Sequence, residues 1–284
     1  MVLLLSVGVF TGTAQGAHVP ALTAFPVVGN VTYVDDFGDP RPGGPHKGND
    51  VMSVRHQPAV AFEAGSVQKW PGSGGCMLVL NGRSGMVYWY IHLNNDRGPG
   101  NDNKGGCRNG VSFAPGLRNG QHVKRGQFVA YVGDSGDADG LQPHLHFEVH
   151  SAHGRAIDPY RFLRRSRPLL FPRPRSSQGD VALTLKGARV IAKTDSTITV
   201  RTKRVLVDPL GLDYICVRRV TLDTTGATVE RKSNGGALIA ADTSSARIGE
   251  RARLTTPAFK PRWAAQRAEA GRLSASKLIL FGTS

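Results

Sequence analysis

Pro143-His144-Leu145-His146-Phe147-Glu148 alternates polar and apolar residues. On a β-strand, successive side chains point to opposite faces. His144 and His146 then share one face, while Leu145 and Phe147 point into a core. Two imidazoles on one strand face form a metal-site pattern; the bland alternative is a polar, solvated face. Working outward, short apolar runs of the same kind recur at Met77-Leu78-Val79-Leu80 and over residues 86–93, 128–132 and 145–149, split by Gly, Asn and Asp. They predict strands joined by tight turns across residues 25–163.

Composition agrees with a β-rich chain. There are 35 glycines and 17 prolines in 284 residues, and 40% of residues are apolar. That length suggests about two domains at roughly 150 residues each. No run reaches the roughly 18 apolar residues of a spanning helix, so a transmembrane segment is not expected. Residues 160–177 gather six arginines with three prolines, which reads as a linker. Beyond it, runs at 188–192, 197–200, 204–207, 215–220 and 277–281 predict further strands, and only residues 262–272 look helical.

The net charge is +15. It implies an anionic partner: nucleic acid, anionic lipid or an acidic polymer. The charge is spread, +6 through residue 178 and +9 beyond it, with no aromatic stripe beside it. No nucleic-acid partner is expected on that pattern.

Residues 2–10 form an apolar run followed by small residues and by Ala14-Gln15-Gly16, a signal-peptide pattern lacking its basic n-region. Residues 1–17 are read as an export signal, with a buried first strand as the alternative. The protein is then expected to be secreted, outside the cell or in the wall space.

Two further places carry chemistry. In His46-Lys47-Gly48-Asn49-Asp50, a histidine and an aspartate four residues apart share a face if the backbone is extended, and both are good zinc ligands. Gly48 between them permits a bend or a close approach. Alone the pair is a weak signal, because the spacing occurs by chance. In Tyr90-Ile91-His92-Leu93 the histidine closes an apolar run, where a structural role is the ordinary reading.

Together these stretches resemble the lysostaphin-type (LytM-like) zinc metalloendopeptidases, which hydrolyse peptide cross-links of bacterial peptidoglycan. Phe25-Pro26-Val27-Val28-Gly29, Val123-Lys124-Arg125-Gly126-Gln127, Val132-Gly133-Asp134-Ser135-Gly136 and Ile157-Asp158-Pro159-Tyr160 match as well, in family order. The resemblance covers residues 25–163. It implies an antiparallel β groove with one zinc per chain on its floor. It makes His46, Asp50 and His146 the metal ligands, with one coordination position left open, and His92 and His144 the unligated catalytic histidines. Which of those two is the base is left open. The implied partners are peptidoglycan stem peptides or cross-bridges. Glycine bridges, D-alanyl–diaminopimelate links and bonds within one stem all fit.

The remaining histidines are read as ordinary: His56 in a loop, His18 and His122 at the surface, His153 in a turn. His150 is a candidate supporting residue on the face of His146, and Glu148 a structural neighbour of the site. The long Asn/Gly-rich loop over residues 94–121 is a candidate rim. Cys76 and Cys107 can bridge in an exported protein, which leaves Cys216 over and buried.

The C-terminal part resembles a small secreted β-barrel of the oligonucleotide/oligosaccharide-binding shape. The similar pieces are Gly187-Ala188-Arg189-Val190-Ile191 leading to Thr197-Ile198-Thr199-Val200, then residues 248–254 and 273–280. The expected organisation is an all-β protein: signal 1–17, metalloendopeptidase domain 18–163, Arg/Pro-rich linker 164–179 and small barrel 180–284. The basic linker and barrel are the expected holders of an anionic wall polymer, and an inert spacer is the alternative. A catalytically dead, wall-binding or hydrolase-activating relative is the competing function. Such relatives usually lack ligands, and here all five positions are filled.

Overall fold

The period-2 runs do become strands. The computed structural model describes residues 20, 22–261 and 273–282. Residues 1–17, read as an export signal, His18 and the helix-like stretch 262–272 lie outside the described residues. The first half opens with a hairpin of β1 (Pro40–Arg41) and β2 (Gly44–Pro45). There follow β3 (Asn49–Met52), β4 (Pro58–Val60), β5 (Gly65–Gly72), β6 (Gly75–Gly82), β7 (Val87–Leu93), β8 (His122–Val123) and β9 (Phe128–Tyr131). Then come β10 (His144–His150), β11 (Ala156–Ile157) and one short helix, α1 (Tyr160–Arg165). Seven strands form an antiparallel sheet in the order β11-β10-β7-β6-β5-β8, with β3 also paired to β10. Strands β4 and β9 pair separately beside it.

The sheet is held from its inner face. Tyr88, Tyr90, Phe62 and Phe147 are fully buried, and their rings meet at centroid distances of 5.0–6.0 Å. The Tyr90 hydroxyl accepts from the Phe62 N–H at 2.8 Å and donates to the Val60 carbonyl at 3.0 Å, so its burial leaves no polar atom wanting.

The second half contains β12 (Ala182–Lys193), β13 (Thr197–Asp208), β14 (Leu212–Asp223), β15 (Thr228–Lys232), β16 (Leu238–Ala240), β17 (Arg251–Thr255), β18 (Leu273–Ser274) and β19 (Lys277–Leu280). They form one eight-stranded sheet, order β16-β15-β19-β17-β12-β13-β14-β18. Strand β18 pairs with β14, and after only Ala275 and Ser276 the same segment continues as β19, which pairs with β17 and β15, so residues 273–280 join the two sides of the sheet. The runs 197–200 and 204–207 are a single strand. A bulge falls between Thr202 and Arg204, and the fully buried Thr202 hydroxyl bonds the Arg204 carbonyl at 3.0 Å. An extra residue reverses the inside–outside phase, which made one strand read as two.

The arginine-rich connector is packed, not loose. Leu169, Leu170 and Phe171 are buried, and Phe171 meets Phe259 of the second half at 5.7 Å. Tyr214 donates its hydroxyl to the Leu170 carbonyl, and the Arg173 N–H bonds Gly126 O at 2.7 Å. Composition signalled the arginines and prolines; the apolar triplet between them inserts into a core that both halves share. No helix among the described residues is long and apolar enough to cross a membrane.

Cys76 and Cys107 are bridged, with Cα atoms 5.1 Å apart, and Cys216 is free and buried. The bridge ties the loop over residues 94–121 to β6. It spans 31 residues of sequence, for which chain entropy gives about 3–4 kcal/mol. Replacing both cysteines by serine is expected to lower the unfolding free energy by about that amount. Urea denaturation of the full chain measures it, and an unchanged midpoint would show that the bridge carries no stability.

Candidate metal centre

Strand β10 lies between β3 and β7. In this register His146 stands opposite Asp50 on one side and Ile91 on the other, and His144 stands opposite Met52. Leu145, Phe147 and Val149 are fully buried, so the strand's other face carries His144, His146, Glu148 and His150. His46 lies just before β3, and Gly48 lets the chain cross the His146 ring: a Cβ there would sit 2.5 Å from His146 Nε2.

Three donor atoms converge. His46 Nε2 and His146 Nδ1 are 2.9 Å apart, and they lie 3.3 and 3.0 Å from Asp50 Oδ1. Tetrahedral coordination at roughly 2.0–2.1 Å sets ligand atoms about 3.3–3.4 Å apart. Spacing and donor chemistry therefore fit a metal ion at His46, Asp50 and His146.

The rear nitrogen of every ring is held by an oxygen. His46 Nδ1 lies 2.8 Å from Asp36 O, His92 Nδ1 2.9 Å from Ser135 O, His144 Nδ1 2.9 Å from Gln142 O, and His146 Nε2 3.0 Å from Glu148 Oε1. An acceptor oxygen takes the N–H and leaves the other nitrogen as a lone pair toward the site. His144 Nε2 thereby faces Asp50 Oδ1 at 3.8 Å. The His92 ring centroid lies 5.0 Å from that of His144 and 5.7 Å from that of His146.

The local electrostatics favour a cation. Burial raises the Asp50 carboxyl, but the hydrogen bonds of His146 and His46 outweigh it and hold the group well below the usual carboxylate range. Burial pulls His146 down, yet Asp50 and Glu148 carry it up to about 9. A ring that binds a proton this firmly between two carboxylates offers the same lone pair to a metal in the proton's place. Glu148, raised by burial but bonded by His146 and His150, sits at about 2. His92 is lowered, by burial first and then by His144 and His146, against the pull of Ser135, so it is neutral at neutral pH.

His92 sits on a distorted stretch. Its φ is 58°, in the left-handed region, and the register between β6 and β7 slips between Cys76 and Leu78, so Ile91 and His92 of β7 oppose Met77 alone. Such a bulge re-aims a side chain, at a local backbone cost of about 1–3 kcal/mol. Ser135 secures it: its hydroxyl accepts from Cys76 N–H at 2.9 Å and donates to Leu93 O at 2.5 Å, beside the bond its carbonyl makes to His92. Behind it, Arg55 holds the fully buried Asp134 through two 2.8 Å bonds and also pairs with Asp96. Asp96 Oδ1 in turn accepts the N–H groups of Asp102 and Asn103 at 2.6 and 2.7 Å. Asn101 and Asn103 reach Asp139, at the end of the turn that follows Ser135. The loop over residues 94–121 is thus fastened beside His92.

All five residues singled out from the sequence meet here. His150 bonds Glu148, which bonds His146, so both support a site residue. His122 and His153 are exposed, and His56 lies away in its loop with Nε2 3.4 Å from Asp96 O. Sequence reasoning missed three residues. Asp36 bonds His46 through its carbonyl and Asn49 through its carboxylate. Arg41, on the β1–β2 hairpin, holds Asp50 Oδ2 at 2.9 Å. Ser135 lay inside a matched motif without a role.

Residues 111–159 match the sequence model described as Peptidase family M23. An L-Ala--D-Glu endopeptidase of Bacillus subtilis is 28% identical over 152 residues, 49% of this chain and 41% of that protein. An uncharacterized metalloprotease of Haemophilus influenzae is 30% identical over 119 residues, 40% of this chain and 20% of that protein. The chain thus spans less than half the length of either. Among solved structures, a putative glycyl-glycine endopeptidase lytM from Ruminococcus gnavus aligns at 24% identity with TM-score 0.41, covering 51% of this chain and 60% of that one. The catalytic domain of lysostaphin from Staphylococcus simulans aligns at 23% and 0.34, covering 50% and 91%. The resemblance read from the motifs is supported: residues 111–159 fit the M23 model, and the first half of the chain is similar to LytM-like peptidases of that family.

Gly136 generates a test of how His92 is held. Its φ is 80°, and an added Cβ would lie 2.4 Å from Gly75 N. Gly136→Ala is expected to cost about 1–3 kcal/mol, the range for forced overpacking. It should also alter the His92 Nδ1 environment, read by nitrogen NMR of the imidazole. An unperturbed His92 signal would show that the Ser135 turn does not position the ring.

Proposed function

We propose that the protein is a secreted, zinc-dependent endopeptidase that hydrolyses peptide cross-links of bacterial peptidoglycan. The observation that carries this reading is the convergence of His46 Nε2, Asp50 Oδ1 and His146 Nδ1 beside two further imidazoles, His92 and His144, whose rear nitrogens are already occupied. The M23 match and the Bacillus subtilis endopeptidase support the reaction class. The Cys76–Cys107 bridge suits an oxidising compartment outside the cytosol.

In this reading His46, Asp50 and His146 hold one zinc ion, which supplies Lewis acidity toward a scissile peptide carbonyl and its attacking water. The chain's own residues do the rest. Asp36 and Glu148 orient two ligand rings, and Arg41 engages Asp50 Oδ2 so that Oδ1 is the atom presented. His92, neutral and held by Ser135, and His144, held by Gln142, keep Nε2 free. One takes the proton of the attacking water and passes it to the departing amine. The other, carrying at Nε2 a proton taken from solvent before the attack, donates to the developing oxyanion.

Two outcomes test the assignment. Zymography on purified cell wall should show lysis that a chelator abolishes and added zinc restores. His46→Ala, Asp50→Ala and His146→Ala should each lose most bound zinc and all measurable lysis, since three protein ligands leave none to spare. Full lysis by any of them at stoichiometric zinc overturns the ligand set.

The two histidines of β10 should also separate. His144→Ala is expected to keep near-stoichiometric zinc by elemental analysis while turnover falls by about 10²–10⁴, the range for a lost acid–base group. If His144→Ala arrives without zinc and His146→Ala retains it, the roles are reversed.

A further inference from the structure

A cleft of about 490 Å³ away from the metal centre is lined by Arg118, Lys124, Arg175, Gln127, Ser176 and Ser177, among others, with no carboxylate. A second cleft of about 320 Å³ shares Lys124 and adds Arg83, Arg125 and Arg173. Its one acid, Glu63, accepts the Ser84 hydroxyl at 2.6 Å. Two abutting clefts thus present six Arg and Lys side chains.

Inside the first cleft a donor is left over. Gln127 is 3% exposed; its Oε1 accepts from Lys124 N–H at 3.0 Å, and its Nε2 has no hydrogen-bond partner. Gln127 thus brings a buried, unpaired amide donor to the lining of the cleft. Arg175 is pinned as a wall, its guanidinium donating to the Gly116 and Pro115 carbonyls. Arg118 and Lys124 are exposed, and their side chains make no ion pair or hydrogen bond among the described residues. Arg125 and Arg173 are held near enough that their like charges lower the Arg125 guanidinium, after burial.

We infer that these clefts form one binding site for a linear phosphodiester polymer that carries no bases. Two cationic clefts meeting at Lys124 suit a repeated anion better than a single one. Phosphate oxygens accept in several directions, which matches guanidinium, ammonium and amide donors converging from different walls. The first cleft has no Phe, Tyr or Trp in its lining, whereas single-stranded nucleic acids are held by aromatic stacking. The site takes its cations from the peptidase half and from Arg173 and Arg175 of the connector. The inference goes beyond the hydrolytic reading, and its test reads binding alone, so either can fail without the other.

The probe is poly(glycerol phosphate), titrated by calorimetry against the full chain at several salt concentrations. Arg118→Ala/Lys124→Ala, both exposed positions, should bind at least about tenfold more weakly. The slope of log K against log salt should become shallower by about 1.4, at roughly 0.7 per lost phosphate contact. Hydrolysis of a small soluble peptide should be unchanged. Gln127→Glu keeps the acceptor for Lys124 N–H and replaces the free donor by an anion; it should weaken binding too. Poly-glutamate and oligo(dT) run as parallel arms and should bind at least tenfold more weakly than the phosphate polymer. Undiminished binding by the double variant overturns the site, poly-glutamate binding as tightly overturns the phosphate assignment, and oligo(dT) binding as tightly makes the cleft a nucleic-acid site.

Discussion

The pairing of β10 with β3, in the register that sets His146 opposite Asp50, is the constraint on which the metal centre depends. A slip of one residue would turn His144 and His146 into the core and put Leu145 and Phe147 in their place, because strand faces alternate strictly. The register is set from the buried side. Phe147 sits among Phe62, Tyr88 and Tyr90, and the doubly bonded Tyr90 hydroxyl pins that cluster to the segment from β4 to Phe62. Gly48 then allows the His46 stretch to pass close over the His146 ring. The apolar half of the strand thus determines where the polar half is presented.

The second requirement is orientation. Four imidazoles can serve one site only if each has a fixed tautomer, and here four different segments supply the oxygens: Asp36, Ser135, Gln142 and Glu148. None of these touches the site as a donor itself. The Arg55–Asp134–Asp96 network and the disulfide brace the loops around the Ser135 turn, so that little reorganisation is left for the moment of reaction.

The sequence displayed some of this and hid the rest, for physical reasons. Alternation made β10 and β7 readable, because one face of each is core. The five site residues were readable because their types and motifs are distinctive. Asp36 and Arg41 were not, since a contact made across a hairpin leaves no periodic trace. The left-handed backbone at His92 was equally silent: a bulge shows as a lost alternation, which at a strand end looks like the strand stopping. At Thr202 the same device hid the continuity of β13. Leu169-Leu170-Phe171 were masked by the arginines and prolines around them, which made a packed connector resemble a tether.

That connector has a consequence for how the molecule comes apart. Leu170 and Phe171 belong to a core continuous with Val181, Leu183 and Tyr214, and Gln57 of the peptidase half donates to Ile215 O of the second sheet at 2.6 Å. Cutting the chain after Leu163 would strip cover from that core and leave the Gln57 amide without its partner. These contacts couple the stability of each half to that of the other. A protease that nicked the connector would bare apolar surface on both sides of the cut.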